Sequence, residues 1–390
     1  MKPLSFRQGN MTFYLHVFLP YPSQALQWLV DVGEEVHYNW EKTLFERKHA
    51  MATIKDIAKH AGVSVTTVSR AFNNRGYIAE ATRKKIEEAC LALNYQPNEL
   101  ARSLFRKKSN MIGVMIPRLD SYFFSDLIQR IEAHLYAAGY KIMVCSTNGN
   151  LEKEKSYFST FQAHKVDGVI IASYLSETSF DYSGLPMPAV AFDRVLSDAI
   201  PCIGSDHEAI GRLATQALLD GGCKRLVHVS GDSGITSPAH GKTQAFIDLC
   251  QTAGVTYGVI EKPMTGLADD QVSGINLNLN KLFDQAMGKV PSFDGIFLSD
   301  EDACAFLRYA KAKNIRIPDD VQVIGYDNLA IGTMVTPALT TVAQDRDAIS
   351  RQLVDTLLGC LATDSETGSA PMGQAEKIPV HLIQRNSSKS

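Results

Sequence analysis

From Met111 onward the chain alternates short apolar runs with amphipathic stretches, and few architectures satisfy that alternation. The strand-like runs are Met111–Pro117, Lys141–Ser146, Val166–Ser173, Val190–Asp193, Arg225–Ser230, Phe293–Ser299 and Val321–Tyr326. Helical stretches lie between them, at Phe124–Ala138, Glu152–His164, His207–Asp220, Lys242–Ala253 and Asp302–Lys313. Alternating β and α segments predict parallel sheets covered on both faces by helices. A chain of 390 residues is too long for one ordinary core, so two or three domains are expected. Length and strand count predict two doubly wound lobes. Ligands of such sheets sit beyond the carboxyl ends of the strands. Several runs end in polar pairs there: Asp193-Arg194, Gly231-Asp232, Ser299-Asp300 and Asp327-Asn328. Carboxylates and amides suit a polyhydroxylated ligand, because each hydroxyl both donates and accepts.

Composition excludes several classes. Hydrophobic residues make up 45% and charged residues 21%, the balance of a globular protein. Seven cysteines are scattered with no C-x-x-C pair. That excludes a metal-ligating cysteine framework and fits a reducing cytoplasm. No run of about 18 apolar residues is present, so no membrane partner is expected. The net charge of −3 hides an asymmetry: residues 51–108 carry 11 Lys and Arg against 5 Asp and Glu. Residues 109–390 carry 23 against 32. A basic head on an acidic body points to a polyanion at the head, although a solvated helical face gives the same excess.

Residues 1–50 look foreign to the rest. Both tryptophans, Trp28 and Trp40, lie there, and the apolar stretch from Met11 to Val30 is broken by His16, Pro20, Pro22 and Ser23. It lacks the continuous apolar core and cleavage site of a signal peptide. Met51 is followed at once by a well-formed domain start. The expectation is a native start at Met51, with residues 1–50 a non-native or disordered extension; a genuine extra segment is the alternative.

The head begins with two short amphipathic helices. Thr53 and Asp56 have the spacing of a capping box, and Ile54, Ile57, Ala58 and Ala61 share one helical face. Gly62 permits the backbone angles of a tight turn. Ser64 caps the second helix, Val68, Ala71 and Phe72 face inward, and Val65, Thr66, Ser69 and Arg70 remain outside. A third helix from about Glu80 to Leu93 packs Ile86, Ala89, Cys90 and Leu93. Its cap position, Ala79, lacks a capping oxygen, which costs about 1 kcal/mol. The segment Asn98 to Lys108 reads as a linker with a short helix capped by Asn98.

The motif A-x-x-A-G-V-S-x-x-T-V-S-R over Ala58–Arg70, with Leu93-Asn94-Tyr95-Gln96-Pro97-Asn98, resembles the lactose-repressor/galactose-repressor (LacI/GalR) family of bacterial transcription regulators. The resemblance runs from Thr53 to about Arg385. It implies base readout in the major groove by Val65, Thr66 and Arg70, and phosphate or backbone contacts from Thr53, Ser64, Thr67, Ser69, Asn73 and Tyr77. The chemistry agrees: hydroxyls and amides donate to phosphate, arginine forks onto guanine, and methyls meet thymine methyls. The resemblance also makes residues 98–108 a hinge helix. It folds against its dimer mate on DNA, with Leu104 wedged into the minor groove, Ala101 allowing close approach and Asn98 at its start. A helix this short is marginal alone.

For the body, the resemblance implies a fold like a periplasmic sugar-binding protein, two lobes crossed three times by the chain, with an effector in the cleft. The matching effector positions are Tyr122, Phe123, Phe124, Asp193, Lys242, Phe246, Ser299, Asp300 and Asp327. Asp193 and Asp327 would hold hydroxyl pairs, and Tyr122 or Phe123 would stack on a sugar face. Two departures stand out. The family often has arginine at the position of Lys242 and a second near Ser237, and lysine cannot fork onto vicinal hydroxyls. His240 is a candidate replacement contact. Asn74-Arg75-Gly76-Tyr77, Leu100–Leu104 and Val190–Arg194 look most like sucrose-operon-type repressors, which suggests a sucrose- or fructose-related effector.

Enzyme motifs are poorly supported. Gly231-Asp232-Ser233-Gly234 spells the string around a chymotrypsin-like serine, but it follows a buried strand in an α/β lobe and reads as a turn. His207-Glu208 lacks a second histidine at zincin spacing, and no phosphate-cradling glycine loop follows a strand. The sequence therefore predicts a small all-α helix-turn-helix head (51–97), a hinge (98–108) and an α/β periplasmic-binding-protein-like body of two doubly wound parallel-sheet lobes (109–385). The first lobe is expected at about 109–206 and 343–372, the second at 207–342 and 373–385, and a tail at 386–390. The expected protein is a non-enzymatic homodimer, without cofactor or metal. It binds operator double-stranded DNA in the bacterial cytoplasm, nucleoid-associated when bound, under control of a small carbohydrate or sugar-phosphate effector acting as inducer or co-repressor. An exported-type sugar-binding protein is the alternative.

Overall fold

The computed structural model describes residues 4–8, 11–15, 52–73, 76–95, 108–172, 181–231, 237–262, 275–363 and 376–389. They fall into two compact units, Met1–Asn98 and Glu99–Ser390. In the first, β1 (Leu4–Gln8) pairs antiparallel with β2 (Met11–Leu15), setting Phe6 opposite Phe13 and Ser5 opposite Tyr14.

The head is three helices, α1 (Ile54–Ala61), α2 (Val65–Asn73) and α3 (Glu80–Ala92). Thr53 and Asp56 form a complete capping box, with Asp56 Oδ2 accepting from the Thr53 backbone N–H at 2.8 Å. Gly62 closes α1 at φ 67°, in the left-handed region that glycine adopts without a Cβ penalty. Ser64 Oγ accepts from the Thr67 N–H at 3.1 Å and starts α2. Ala79 makes no side-chain cap for α3. Ile57, Ala58, Val68, Ala71, Ile86 and Ala89 form the buried core. Phe72 closes its edge by stacking on Tyr95, with ring centroids 5.9 Å apart.

The second unit holds two six-stranded sheets among its described residues. The first lobe contributes β3 (Met111–Ile116), α4 (Tyr122–Ala137), β4 (Lys141–Ser146), α5 (Leu151–Ala163), β5 (Gly168–Ile171), β6 (Ala189–Phe192) and β7 (Cys202–Ser205). The chain then crosses into α6 (His207–Asp220), β8 (Arg225–Ser230), α7 (Gly241–Ala253), β9 (Thr256–Glu261) and α8 (Ile275–Lys289). The second lobe continues with β10 (Gly295–Phe297), α9 (Asp300–Ala312), β11 (Gln322–Tyr326), the short α10 (Ile331–Met334) and β12 (Thr340–Gln344). A second crossing leads to α11 (Arg346–Thr363), which packs on the first lobe through Ile349, Leu353, Val354 and Leu357. After β13 (Glu376–Ile378) a third crossing reaches β14 (Val380–Ile383).

The sheets have equivalent orders, β13-β7-β6-β5-β3-β4 and β14-β12-β11-β10-β8-β9. All pairings in them are parallel except β12 with β14. In each, the chain enters next to the edge and reverses its winding direction, which opens a crevice at the carboxyl ends. Residues 373–385 were expected together in the second lobe. Instead Glu376–Ile378 pairs with Cys202–Ser205 in the first sheet, and only β14 joins the second. The crossings are bound to each other: the Asp206 N–H donates to the Ile378 carbonyl at 2.9 Å.

The lobes also share apolar contact. Leu329, from the loop after β11, is buried in the first lobe's core with Phe123, Phe124 and Phe192. Burying a leucine side chain is worth about 1.5–3 kcal/mol, so this loop pins one lobe to the other. Within the second lobe, α6 and α7 pack at backbone distance. A Cβ at Gly211 would lie 2.2 Å from the Lys242 carbonyl oxygen. Gly211→Ala is therefore expected to force α7 away and destabilise the body by about 1–3 kcal/mol. Urea unfolding followed by circular dichroism checks this, and an unchanged midpoint would contradict the close approach.

Candidate functional site

The outer surface of α2 is formed by the residues expected to meet DNA. Val65 is 41% exposed and Tyr77 94%, while Thr66 and Arg70 are exposed and Thr67 and Ser69 half-buried. The Ser64 and Thr67 hydroxyls are 2.9 Å apart and hold each other in place. Thr53 is committed to its capping box, so its contribution to an anion would come from an already ordered helix start. Asn73 ends α2. Asn98, Ala101 and Leu104 lie outside the described residues.

In the body, the predicted effector residues separate into two groups. Asp193, Lys242 and Asp327 come together as buried charged groups. Asp193 ends β6 with φ 50°, and its Oδ1 is 2.8 Å from His207 Nε2. Its side chain lies so closely over β7 that a Cβ at Gly204 would be 2.0 Å from Oδ1. Lys242 stands in the first turn of α7, with its ammonium 4.7 Å from the Tyr326 ring centroid. Burial pushes its pKa down, and the Asp193 and Asp327 charges push it back up. Asp327 follows β11 at φ 115° and accepts from Gln344 Nε2. Burial, reinforced by the nearby Asp300 charge, raises its pKa well above the usual carboxylate range, against the pull of Lys242.

Other expected contacts have structural roles. Phe246 is fully buried in the core behind α7, edge-on to Tyr257. Ser299 caps α9, accepting from the Asp302 N–H at 3.2 Å. Asp300 is fully buried. Its Oδ1 accepts from the Thr341 hydroxyl and its Oδ2 from the Leu329 N–H, each at 2.7 Å. Those bonds fix the loop carrying Asp327 and Leu329. Phe123 and Phe124 are buried against Phe192, while Tyr122 is 57% exposed. Arg194 turns away into a buried group with Glu154 and Tyr182.

The structure adds residues that sequence reasoning did not select. His207 and Gln344 stand where the chain crosses between lobes, and each holds one of the two key carboxylates. Among the described residues, His207 Nδ1 and Gln344 Oε1 are buried with no hydrogen-bond partner. A buried polar atom left unpaired costs about 1–3 kcal/mol, which a ligand or water relieves. Glu301 accepts from the Tyr122 N–H at 2.7 Å and the Ser121 hydroxyl at 3.0 Å, across the lobes. Arg346 joins Asp126 of the first lobe at 2.5 Å to the Asp327 and Asn328 carbonyls of the second. Ser237 donates to the Asp193 carbonyl at 2.8 Å.

Residues 53–98 match the family model for bacterial regulatory proteins, lacI family, and residues 215–388 match the periplasmic binding protein-like domain. The ribose operon repressor of Halalkalibacterium halodurans is 37% identical over 312 residues, 78% of this chain and 89% of that protein. The chain belongs to the lacI family of bacterial regulatory proteins. A second lacI-family relative, the sucrose operon repressor of Streptococcus mutans, is 35% identical over 79% of this chain and 92% of its own length. The lac repressor dimer bound to operator and the anti-inducer ONPF has a TM-score of 0.68 and 25% identity, covering 86% of this chain and 98% of that one.

As a lacI-family member this protein is a DNA-binding transcriptional repressor and not an enzyme. The helix-turn-helix head and two-lobed body follow the lacI-family plan. No helix among the described residues is long and apolar enough to cross a membrane.

Burial raises the Asp300 pKa to about 7. A folded-state value above the unfolded one means that the native state holds the extra proton between about pH 4 and 7. Stability from this group is therefore greatest below pH 4 and falls as pH rises through 7. Asp300→Asn keeps an acceptor for Leu329 and a donor for Thr341 without the charge. It is expected to remove this slope, as read by urea unfolding of both proteins from pH 4 to 8. Comparing the two cancels the opposite slope from His228, whose pKa burial lowers to about 3. Identical slopes would contradict the assignment.

Proposed function

We propose that this repressor controls a carbohydrate-utilisation operon and that a small sugar in the interlobe cleft sets its grip on the operator. The observation that carries the reading is the buried cluster of Asp193, Lys242 and Asp327. One carboxylate comes from each lobe, at the strand ends where such folds bind ligands. Carboxylates accept paired hydroxyls, and the ammonium donates to ring or glycosidic oxygens. The ribose and sucrose operon repressors named above support a carbohydrate effector.

In this reading a homodimer binds a pseudo-palindromic operator in the bacterial cytoplasm and is nucleoid-associated while bound. Val65, Thr66 and Arg70 read base edges. Thr53, Ser64, Thr67, Ser69, Asn73 and Tyr77 fix the register on phosphates. Asn98, Ala101 and Leu104 belong to a hinge that orders only on bent DNA, where the apolar wedge at Leu104 offsets its unstacking cost through a wider interface. Effector binding changes the lobe closure and so the spacing of the hinges. A useful switch needs a coupling of roughly 1–3 kcal/mol. The exported sugar-binding alternative has no use for the lacI-family head.

Arg70→Ala is expected to weaken operator binding by about 1–3 kcal/mol and to relax base preference. Fluorescence anisotropy with operator and scrambled duplexes measures both; equal affinities of wild type and variant would remove Arg70 from the readout set. Asp327→Ala is expected to keep operator binding and lose release by sugar. Release at an unchanged sugar concentration would place Asp327 outside the site.

A further inference from the structure

The cleft reading above leaves open whether the ligand carries a charge, and the electrostatics of the cleft bear on that directly. Phosphate recognition in an α/β lobe draws on two resources, an uncommitted cation and an open helix N-terminus. The protein's own carboxylates already take the strand-end cations and the starts of α4 and α9.

Among the described residues, the cations just beyond the carboxyl ends of β3, β6, β9 and β12 each have a carboxylate partner. Arg118 holds Asp120 at 2.5 Å, Arg194 holds Glu154 at 3.5 Å and Lys262 holds Asp302 at 2.7 Å. Arg346 holds Asp126, and Lys242 is shared between Asp193 and Asp327. The segments 173–180, 232–236 and 263–274, which follow β5, β8 and β9 in the chain, contain no Lys or Arg. They contain Glu177, Asp232, Asp269 and Asp270 instead.

The helix N-termini tell the same story. At α4, the first helix after the first strand of its lobe, Glu301 accepts from the Tyr122 N–H and the Ser121 hydroxyl. A carboxylate from the opposite lobe thus sits where an anionic ligand group would sit. The first turn of α9 holds Asp300, Glu301 and Asp302, and such a cluster repels an anion even at a favourable dipole. No side chain caps the start of α7, but the cation in its first turn, Lys242, is already shared between Asp193 and Asp327.

We infer that the cleft takes an uncharged polyhydroxy ligand and rejects the phosphorylated form of the same sugar, with Glu301 as the residue that enforces the rejection. The inference rests on the cleft reading above. Glu301 acts in two ways. It fills the α4 N-terminus, and its charge opposes a phosphate approaching from either lobe. Closing the lobes on an uncharged sugar leaves the Glu301 bonds intact. Closing them on a sugar phosphate brings like charges together, and such juxtaposition costs several kcal/mol.

The test is isothermal titration of the full chain with D-ribose, D-fructose and sucrose, and with ribose 5-phosphate, fructose 6-phosphate, sucrose 6-phosphate and inorganic phosphate. Wild type, Glu301→Gln and Glu301→Ala are compared, with circular dichroism melts confirming that each is folded. At least one free sugar is expected to bind, and its phosphate to bind at least about tenfold more weakly, a gap of 1.4 kcal/mol. Glu301→Ala, which empties the helix start, is expected to narrow that ratio about tenfold. Glu301→Gln keeps the acceptor and removes only the charge, so it should narrow the ratio by less. A phosphate ester that binds wild type as tightly as its parent sugar overturns the proposal while leaving the cleft reading intact. A ratio unchanged in Glu301→Ala overturns the role of Glu301. Silence from every sugar and phosphate overturns the cleft reading, and the proposal with it.

Discussion

The body is organised around one buried cation, the Lys242 ammonium, held in range of a carboxylate from each lobe. Taking a charge out of water costs several kcal/mol, and that cost is recovered only where opposite charges and hydrogen bonds are well placed. Asp193 and Asp327 supply the charge, and Tyr326 supplies a ring face. Because the two carboxylates belong to different lobes, Lys242 keeps both partners only while the lobes are together. The position of the lobes is thereby tied to the three side chains staying together.

That arrangement needs a precise backbone. Asp193 and Asp327 both adopt positive φ, strained for non-glycine residues. The surroundings hold them there. Asp193 is gripped by His207 and by the absence of a side chain at Gly204. The Asp327 loop is gripped by Asp300, whose carboxylate lies over Gly325 so closely that a Cβ there would be 2.0 Å from Oδ1. Each lobe therefore lays an aspartate across a glycine of a neighbouring strand. In the first lobe that aspartate belongs to the charged cluster, while in the second it positions the one that does. Strain of this kind persists where neighbours over-determine it, and functional sites are where it collects.

The charge distribution divides labour within the chain. The basic excess is concentrated at residues 51–108, while the body is acidic and pairs its strand-end cations internally. The head can be drawn to a polyanion at long range, while the net charge of the body opposes one. The head is also small, with a core of short side chains closed by Phe72 on Tyr95. Its capping box and Gly62 turn stabilise helices too short to stand alone.

The sequence alone determined the head almost completely. Thr53, Gly62, Ser64 and the inward face of each helix are set by local rules of capping and periodicity, and those interactions span only a few residues. It also located seven of the strands, since apolar runs such as Val190–Asp193 announce themselves. It missed Cys202–Ser205, Thr256–Glu261, Glu376–Ile378, Val380–Ile383 and Thr340–Gln344, the last because Thr340, Thr341 and Gln344 look polar until their buried partners are known. Asp193 and Asp327 were legible as candidates because residue type and strand end coincide there, while Lys242, in the first turn of α7, entered only through the family resemblance. Tertiary structure alone decided the rest. It put Phe246 in the core, made Ser299 a cap, and turned Asp300 into a loop anchor. It brought His207, Glu301, Gln344 and Arg346 to the boundary between lobes. Those assignments depend on partners up to 220 positions apart, and no local pattern encodes which of two neighbouring aspartates will face a cleft and which a core.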